Sequence, residues 1–251
     1  MGVNDMDSME KLRDIIKNSD NIVFFGGAGV STESNIPDFR SEAGLYNTKN
    51  NYSYPPEVML SHSFFCEHPE DFFEFYKAKM IYKDAKPNEA HYALAKLENM
   101  GKLKAVITQN IDGLHQEAGS KSVIELHGSV HRNYCMNCGK FFNLDYVLNS
   151  KDTIPKCDYC GGKVKPDVVL YEEALDMEAI NKAVYYVKNA DVLIIGGTSL
   201  AVYPAANLVN YYRGNSLILI NKSFTPYDNR ASLVINNKIG EVLGSIVKEL
   251  K

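Results

Sequence analysis

The chain of 251 residues has no tryptophan and only five cysteines. Five thiols in a chain this long make no disulfide scaffold of the kind that staples small secreted folds. A basic surplus is missing too: 27 Lys and Arg stand against 31 Asp and Glu, a formal net charge of −4. The electrostatic footprint of a nucleic-acid binder is therefore absent. No uninterrupted apolar run is long enough to span a bilayer. The most apolar long stretch, residues 192–209, is broken by Gly196, Gly197, Thr198, Ser199 and Pro204 and reads as a strand, a loop and a helix. The opening residues carry no apolar h-region of a secretory signal. Met6 stands where a myristoylation motif needs Ser or Thr. Internal repeats and low-complexity tracts are also lacking. Hydrophobic residues make up 45% and charged residues 23%, which excludes a disordered or fibrous chain. Together these absences point to a soluble, cytoplasmic protein in a reducing compartment, where paired cysteines stay free as thiolates for a metal.

What is present is an alternation. Asp7 and Glu10 suit a capping box, and Met9, Leu12, Ile15 and Ile16 recur at helical spacing, which predicts a helix over 8–19. Short continuous apolar runs follow at 22–25, 105–107, 123–124, 192–195, 217–220 and 233–235. Runs without alternation read as strands buried on both faces. Helical patterns lie between many of them, at 70–84, 88–100, 176–188, 203–213 and 240–250, so the expected class is α/β with a parallel sheet. Two segments break the pattern. Residues 40–70, rich in Asn, Tyr, Ser and Pro, read as a long functional loop leading into a helical patch. Residues 131–165 hold two Cys-x-x-Cys pairs and little apolar periodicity, as a metal knot inserted between strands would.

Several polar clusters sit at the ends of the strand-like runs. Gly26-Gly-Ala-Gly-Val-Ser-Thr32 follows the first of them; it is either a simple turn or a loop that lets backbone amides approach a phosphate. Thr32 occupies the third glycine position of a dinucleotide fingerprint, and no acid-ended second strand follows, which argues against an ordinary dehydrogenase. Cys135, Cys138, Cys157 and Cys160 form C-x2-C-x18-C-x2-C. Four thiolates complete a tetrahedral zinc shell, so the metal would be structural. Gly139, Gly161 and Gly162 stand where knuckle turns need positive φ. Cys66, the fifth thiol, reads as a buried small hydrophobe. Thr108-Gln-Asn-Ile-Asp-Gly-Leu-His115 is either an Asn/Asp turn or a ligand-reading loop. His127, at the end of the 123–126 run, is a candidate general base. His62, His68, His91, His115 and His131 have weaker claims. Residues 165–172, begun by Lys165-Pro166, read as an edge strand open to a peptide or as a further core strand.

In this order the motifs resemble the sirtuin family of NAD-dependent protein lysine deacylases. The resemblance rests on Gly27–Ser34 with Ile36-Pro-Asp-Phe-Arg-Ser41, Thr108–Gly119, His127-Gly-Ser129, the two cysteine pairs, Pro166-Asp-Val-Val169 and Gly197-Thr-Ser199. It implies a Rossmann-like parallel sheet with helices on both faces, over residues 1–130 (with a helical and loop segment at 40–87) and 166–251, and an inserted zinc-binding module at 131–165. It implies that NAD is co-substrate and that one structural Zn²⁺ sits on the four cysteines. Ala28, Thr32, Phe39 and Arg40 would hold the pyrophosphate and shield the nicotinamide ribose. Gln109 and Asn110 would contact the ribose, Ile111 and Asp112 the carboxamide, and Thr198, Ser199, Asn221 and Ile239 the adenosine half. Val168, Val169, Leu170, Val202 and Tyr203 would sandwich the substrate peptide. The implied reaction is attack of the acyl oxygen on the anomeric carbon as nicotinamide leaves. His127 then acts as base on a ribose hydroxyl, with Asn110 beside it, and O-acetyl-ADP-ribose is released. Acetyl-lysine proteins are the implied partners, met by a monomer that engages neither nucleic acid nor membrane. Three residues depart from the common pattern: Glu172 in place of Gly, Tyr171 in place of Phe and Tyr46 in place of Trp. Tyr76-Lys-Ala-Lys79 offers Lys where members acting on acidic acyl groups carry Arg, so the expected substrate is a short neutral acyl group.

Overall fold

The computed structural model describes residues 3–41, 44–46 and 52–250. Part of the expected 40–55 loop (42, 43 and 47–51) and the Met-Gly start lie outside the described residues. In chain order come α1 (Val3–Lys17), β1 (Ile22–Gly26), two 3₁₀ turns at Ala28–Val30 and Thr32–Ser34, α2 (Pro56–Met59), α3 (His62–Glu67), α4 (Pro69–Lys79) and α5 (Glu89–Asn99). Next are β2 (Leu103–Thr108), α6 (Leu114–Glu117), β3 (Val123–Glu125), β4 (Gly128–Cys135), β5 (Phe141–Asn143), α7 (Leu144–Leu148) and β6 (Val164–Val168). The chain ends with α8 (Met177–Asn189), β7 (Val192–Gly196), a 3₁₀ helix at Ala205–Tyr211, β8 (Ser216–Ile220), a 3₁₀ turn at Asp228–Arg230, β9 (Leu233–Ile235) and α9 (Ile239–Glu249).

Each continuous apolar run becomes a strand because both of its faces are covered. In β1, Ile22 and Phe24 join the core under α1, α5 and α9, while Val23 and Phe25 join the core under α8. β7 divides in the same way: Val192 and Ile194 lie on one side, Leu193 and Ile195 on the other. Among the described residues, six strands form one sheet in the order β3-β2-β1-β7-β8-β9, all parallel. The order reverses between β1 and β7, and doubly wound sheets bind ligands in the crevice at such a switch. A second, antiparallel sheet has the order β5-β4-β6 and leaves β6 at an edge. Its apolar side and the helices α2, α3 and α4 share one core, in which Phe64, Phe65, Phe72, Phe73 and Phe75 pack with Phe142, Val147 and Val164. None of the described helices is long and apolar enough to cross a membrane.

Five local expectations are corrected. The first helix starts at Val3, so Asp7 is interior to it and caps nothing; with neither Gly nor Pro between residues 3 and 7, the helix continues a further turn. The 70–84 helix ends at Lys79, ahead of β-branched Ile81 and the Lys83-Asp84 turn. The 203–213 helix is a 3₁₀ segment over Ala205–Tyr211, where Asn and Val give little α-helical preference. Cys66 is exposed, because Phe64 and Phe65 already fill the inner side of α3. Gly139 and Gly161 do adopt positive φ (71° and 73°), whereas Gly162 does not; a Cβ there would instead crowd Asn137 and the Cys135 sulfur.

Two buried histidines link stability to pH. The rings of His91, on α5, and His115, on α6, lie 4.7 Å apart. His91 Nδ1 accepts the Asn88 N–H at 3.2 Å, closing the α5 capping box, while its Nε2 and both nitrogens of His115 have no partner. Burial pushes His91 down to about 4, and burial with the neighbouring ring holds His115 well below the usual value of 6.5. The unfolded chain therefore binds more protons than the folded one below about pH 6.5, so stability is lost as pH falls from there. His91 alone should contribute about 3 kcal/mol of that loss by pH 4. Urea midpoints measured from pH 7 to pH 4 are expected to fall steeply for the native chain and less for His91→Gln, which keeps a capping acceptor.

Candidate active site

The crevice at the switch point is built from the loops after β1 and β7. Gly29 N–H donates to the Gly197 carbonyl at 2.8 Å, and the Gln109 N–H after β2 reaches the Gly26 carbonyl at 3.0 Å. A Cβ at Gly29 would lie 2.8 Å from Gly197, so glycine is what lets the two loops touch. Around them opens a cleft of about 910 Å³. Every nucleotide, catalytic and peptide residue expected from the sequence borders it: Ala28, Thr32, Phe39, Arg40, Gln109, Asn110, Ile111, Asp112, His127, Val168, Val169, Leu170, Thr198, Ser199, Val202, Tyr203, Asn221 and Ile239. Ile239 is distinct in one respect: its side chain belongs to the core beneath β1 and β7.

The loop after β2 is held by a chain of polar contacts. Asn110 Nδ2 donates to Ser31 Oγ at 3.0 Å, and Ser31 Oγ donates to Asp112 Oδ2 at 2.7 Å. Burial pushes the Asp112 carboxyl up, against the hydrogen bonds from Leu114 N–H and Ser31. Gln109 Nε2 donates to Thr198 Oγ1 at 3.1 Å, and Thr198 N–H to Asn221 Oδ1 at 2.9 Å. Asn221 Nδ2 is buried without a partner, an open donor of the kind a nucleotide would satisfy. Ser31 is buried at the centre of this network, a role that its motif alone does not assign. Its signal was a small polar residue just past a buried strand, which needs a partner.

His127 follows β3 with its ring at the cleft. His127 Nδ1 lies 3.0 Å from the Gln109 carbonyl; a carbonyl only accepts, so Nδ1 carries the proton and Nε2 is left as the basic nitrogen. Burial lowers the imidazole below its usual 6.5, partly offset by that hydrogen bond, so the ring is neutral at neutral pH. Gly128 has φ +76°, and a Cβ there would run into the Asp167 carbonyl. The glycine lets β4 and β6 pair directly behind the histidine, and Val169 N–H donates to the His127 carbonyl at 3.0 Å.

The three departures from the common pattern meet on this edge. Tyr46 Oη and Tyr171 Oη hydrogen-bond to each other, which ties Tyr46 to the end of the β6 segment. Burial, then the Tyr171 hydroxyl, pushes the Tyr46 phenol above its usual range. Glu172 has φ +75°, and its carboxylate accepts from Ser63 N–H at 2.9 Å and Ser63 Oγ at 2.6 Å. Those bonds hold a side chain where Gly would be unstrained. Tyr46→Phe and Tyr171→Phe are each expected to cost about 1 kcal/mol, and the double variant little more than either single. Additive losses in urea denaturation would contradict a direct pairing.

The four expected zinc cysteines converge at the far side of the small sheet. Their sulfurs lie within 4.8 Å of one another, with Cys135–Cys160 at 3.4 Å and Cys138–Cys157 at 3.7 Å. Tetrahedral Zn–S bonds of about 2.3 Å set sulfur–sulfur edges of about 3.8 Å, so the set fits one zinc ion. The two knuckles repeat each other: Gly139 N–H donates to the Cys135 carbonyl and Gly161 N–H to the Cys157 carbonyl, both at 2.9 Å.

Known proteins share this fold. The Sir2 family model matches residues 27–204. An NAD-dependent protein deacetylase of Clostridium tetani is 74% identical over 98% of this chain and 99% of its own length. One of Clostridium acetobutylicum is 69% identical over 96% and 99%. A solved Sir2 structure with a deacetylated p53 peptide and 3′-O-acetyl-ADP-ribose has a TM-score of 0.88 at 39% identity, covering 97% of this chain and 98% of the other. A Sir2–p53 peptide–NAD⁺ structure has a TM-score of 0.84 at 39% identity, covering 96% and 98%. With the fold, the ordered motifs and the relatives in agreement, the chain belongs to the Sir2 family, the sirtuins.

Proposed function

We propose that the protein is an NAD-dependent protein lysine deacetylase that yields deacetylated lysine, nicotinamide and O-acetyl-ADP-ribose. The observation that carries the reading is His127: a neutral imidazole with its basic nitrogen free, set where the nucleotide loops meet the β6 edge. The relatives of the same name and the Sir2 structures holding acetylated peptide, NAD⁺ or acetyl-ADP-ribose support it.

NAD bound in the cleft supplies an ADP-ribosyl group that releases nicotinamide and accepts the acyl group. The chain's own residues do the rest. Gly27–Thr32, Thr198, Ser199 and Asn221 hold the dinucleotide, with Ile239 beneath its adenine end. Asn110, Gln109, Ile111 and Asp112 orient the ribose and carboxamide, and Ser31 fixes their geometry. His127 Nε2 takes a ribose hydroxyl proton, with Nδ1 anchored on Gln109. Phe39 and Arg40 cover the reacting sugar and keep water out, which favours acyl transfer over hydrolysis of NAD. Val168, Val169 and Leu170 on one side and Val202 and Tyr203 on the other receive the substrate peptide as an added strand.

Lys79 lines the cleft while Tyr76 is fully buried and stacked on Phe72. A lone ammonium lacks the fork that grips a carboxylate, which supports acetyl or another short neutral acyl group. On this proposal the zinc-bearing insertion, 131–165, is a unit distinct from the Rossmann-like halves, 1–130 and 166–251, and the protein is a cytoplasmic monomer that acts on acetyl-lysine proteins and engages neither nucleic acid nor membrane. Incubation with an acetyl-lysine peptide is expected to give nicotinamide and O-acetyl-ADP-ribose in equal amounts to the deacetylated peptide. Deacetylation at the same rate without NAD would contradict the proposal.

A further inference from the structure

A second set of reactive groups lies outside the cleft chemistry. His62 and Cys66, four apart on α3, share one side of that helix. Cys66 Sγ lies 3.5 Å from His62 Nε2, and His62 Nδ1 lies 2.8 Å from Glu173 Oε1. A carboxylate only accepts, so Nδ1 carries the proton and Nε2 presents its lone pair to the thiol. A nucleophile, a base and a group that orients the base are thus in line, and the thiol is exposed. A zinc ion would satisfy the other four cysteines, and the deacetylase chemistry uses none of these three residues.

The same carboxylate anchors the peptide edge. Glu173 Oε2 accepts from Leu170 N–H at 2.9 Å and Lys165 Nζ at 3.1 Å, and Lys165 Nζ also reaches the Val168 carbonyl at 3.0 Å. His62 N–H donates to the Tyr171 carbonyl at 3.0 Å. The neighbouring Glu172 carboxylate is occupied by Ser63. Two bonds therefore separate an exposed thiol from the backbone of residues 168–171.

We propose that Cys66, His62 and Glu173 form a thiol-exchange site that takes low-molecular-weight disulfides and, when modified, weakens substrate-peptide binding at the 168–171 edge. In the reaction the Cys66 proton passes to His62 Nε2. The thiolate attacks one sulfur of R–S–S–R, a Cys66–S–S–R bond forms, and RS⁻ leaves to take up a proton as RSH. One disulfide is consumed and one is made, so no further oxidant is required. A group attached at Cys66 displaces His62 from its line with Glu173 and so disturbs the edge. This consequence rests on the deacetylase reading; the exchange itself does not.

The test uses zinc-loaded protein, bis(2-hydroxyethyl) disulfide and peptide-mapped mass spectrometry, without NAD. With His62 Nε2 placed 3.5 Å from Sγ to take the proton, the Cys66 adduct should form about tenfold faster than on a short unstructured cysteine peptide. His62→Gln and Glu173→Gln should both lose that advantage, with circular dichroism confirming the fold. A native rate equal to the free peptide or to His62→Gln, or an adduct on the zinc cysteines instead, overturns the site. In turnover assays the modified enzyme should show a severalfold higher KM for acetyl-peptide with kcat unchanged, reversed by dithiothreitol. Cys66→Ser should keep basal activity and ignore the reagent. An unchanged KM in fully modified enzyme overturns the coupling. Absence of turnover in the unmodified enzyme would instead contradict the deacetylase reading, and the adduct rates would still decide the site.

Discussion

His127→Ala is expected to lower deacetylation by about 10²–10⁴-fold, the range that a positioned general base contributes. Thermal stability should change little. The ring makes one hydrogen bond, to the Gln109 carbonyl, and the backbone pairing of β4 with β6 is independent of it. Zinc content should also stay intact. Because burial holds the imidazole below 6.5 and the neutral form is the working one, the acid limb of kcat/KM should fall below that value. Near-normal turnover by the variant would remove His127 from the role of base, whatever its position at the cleft.

Cys157→Ser is expected to be the most damaging substitution for the fold. Cys157 and Cys135 are buried in the same core as Phe142, Val147 and Val164. In isolated zinc-folded units the metal contributes on the order of 10 kcal/mol, as much as the whole stability of an ordinary domain, which is about 5–15 kcal/mol. Loss of one thiolate or removal of zinc by a strong chelator should therefore loosen the small sheet. The β6 edge and the backing of His127 would go with it, and activity should disappear together with near-ultraviolet circular dichroism. The six-stranded sheet has its own cores on both faces and should keep far-ultraviolet signal. A sample shown by metal analysis to be zinc-free that retains full activity would refute the supporting role.

The strands were legible because burial on both faces leaves no polar alternation, so 22–25, 192–195 and 217–220 announce a parallel sheet directly. The cleft was legible because its residues cluster at strand ends in short motifs. Side-chain pairs that join distant segments leave no such trace. Tyr46 with Tyr171, His62 with Glu173 and Ser31 with Asp112 are separated by 125, 111 and 81 residues, and nothing periodic in the chain couples them. In the sequence Glu172 is a mere departure from glycine, and only the fold sets its carboxylate on Ser63. The exposure of Cys66 is hidden for a related reason: a thiol among phenylalanines suggests burial, and only the packing of α3 shows which side faces out.

Deacetylation requires the cleft to bring an acetyl-lysine and NAD together beside His127. A crystal structure with both an unreactive NAD analogue and an acetyl-lysine peptide tests this directly. The peptide should lie as a strand between residues 168–170 and 202–203, with His127 Nε2 within hydrogen-bond reach of a ribose hydroxyl. An imidazole turned away from that sugar, or a peptide seated elsewhere, would contradict it.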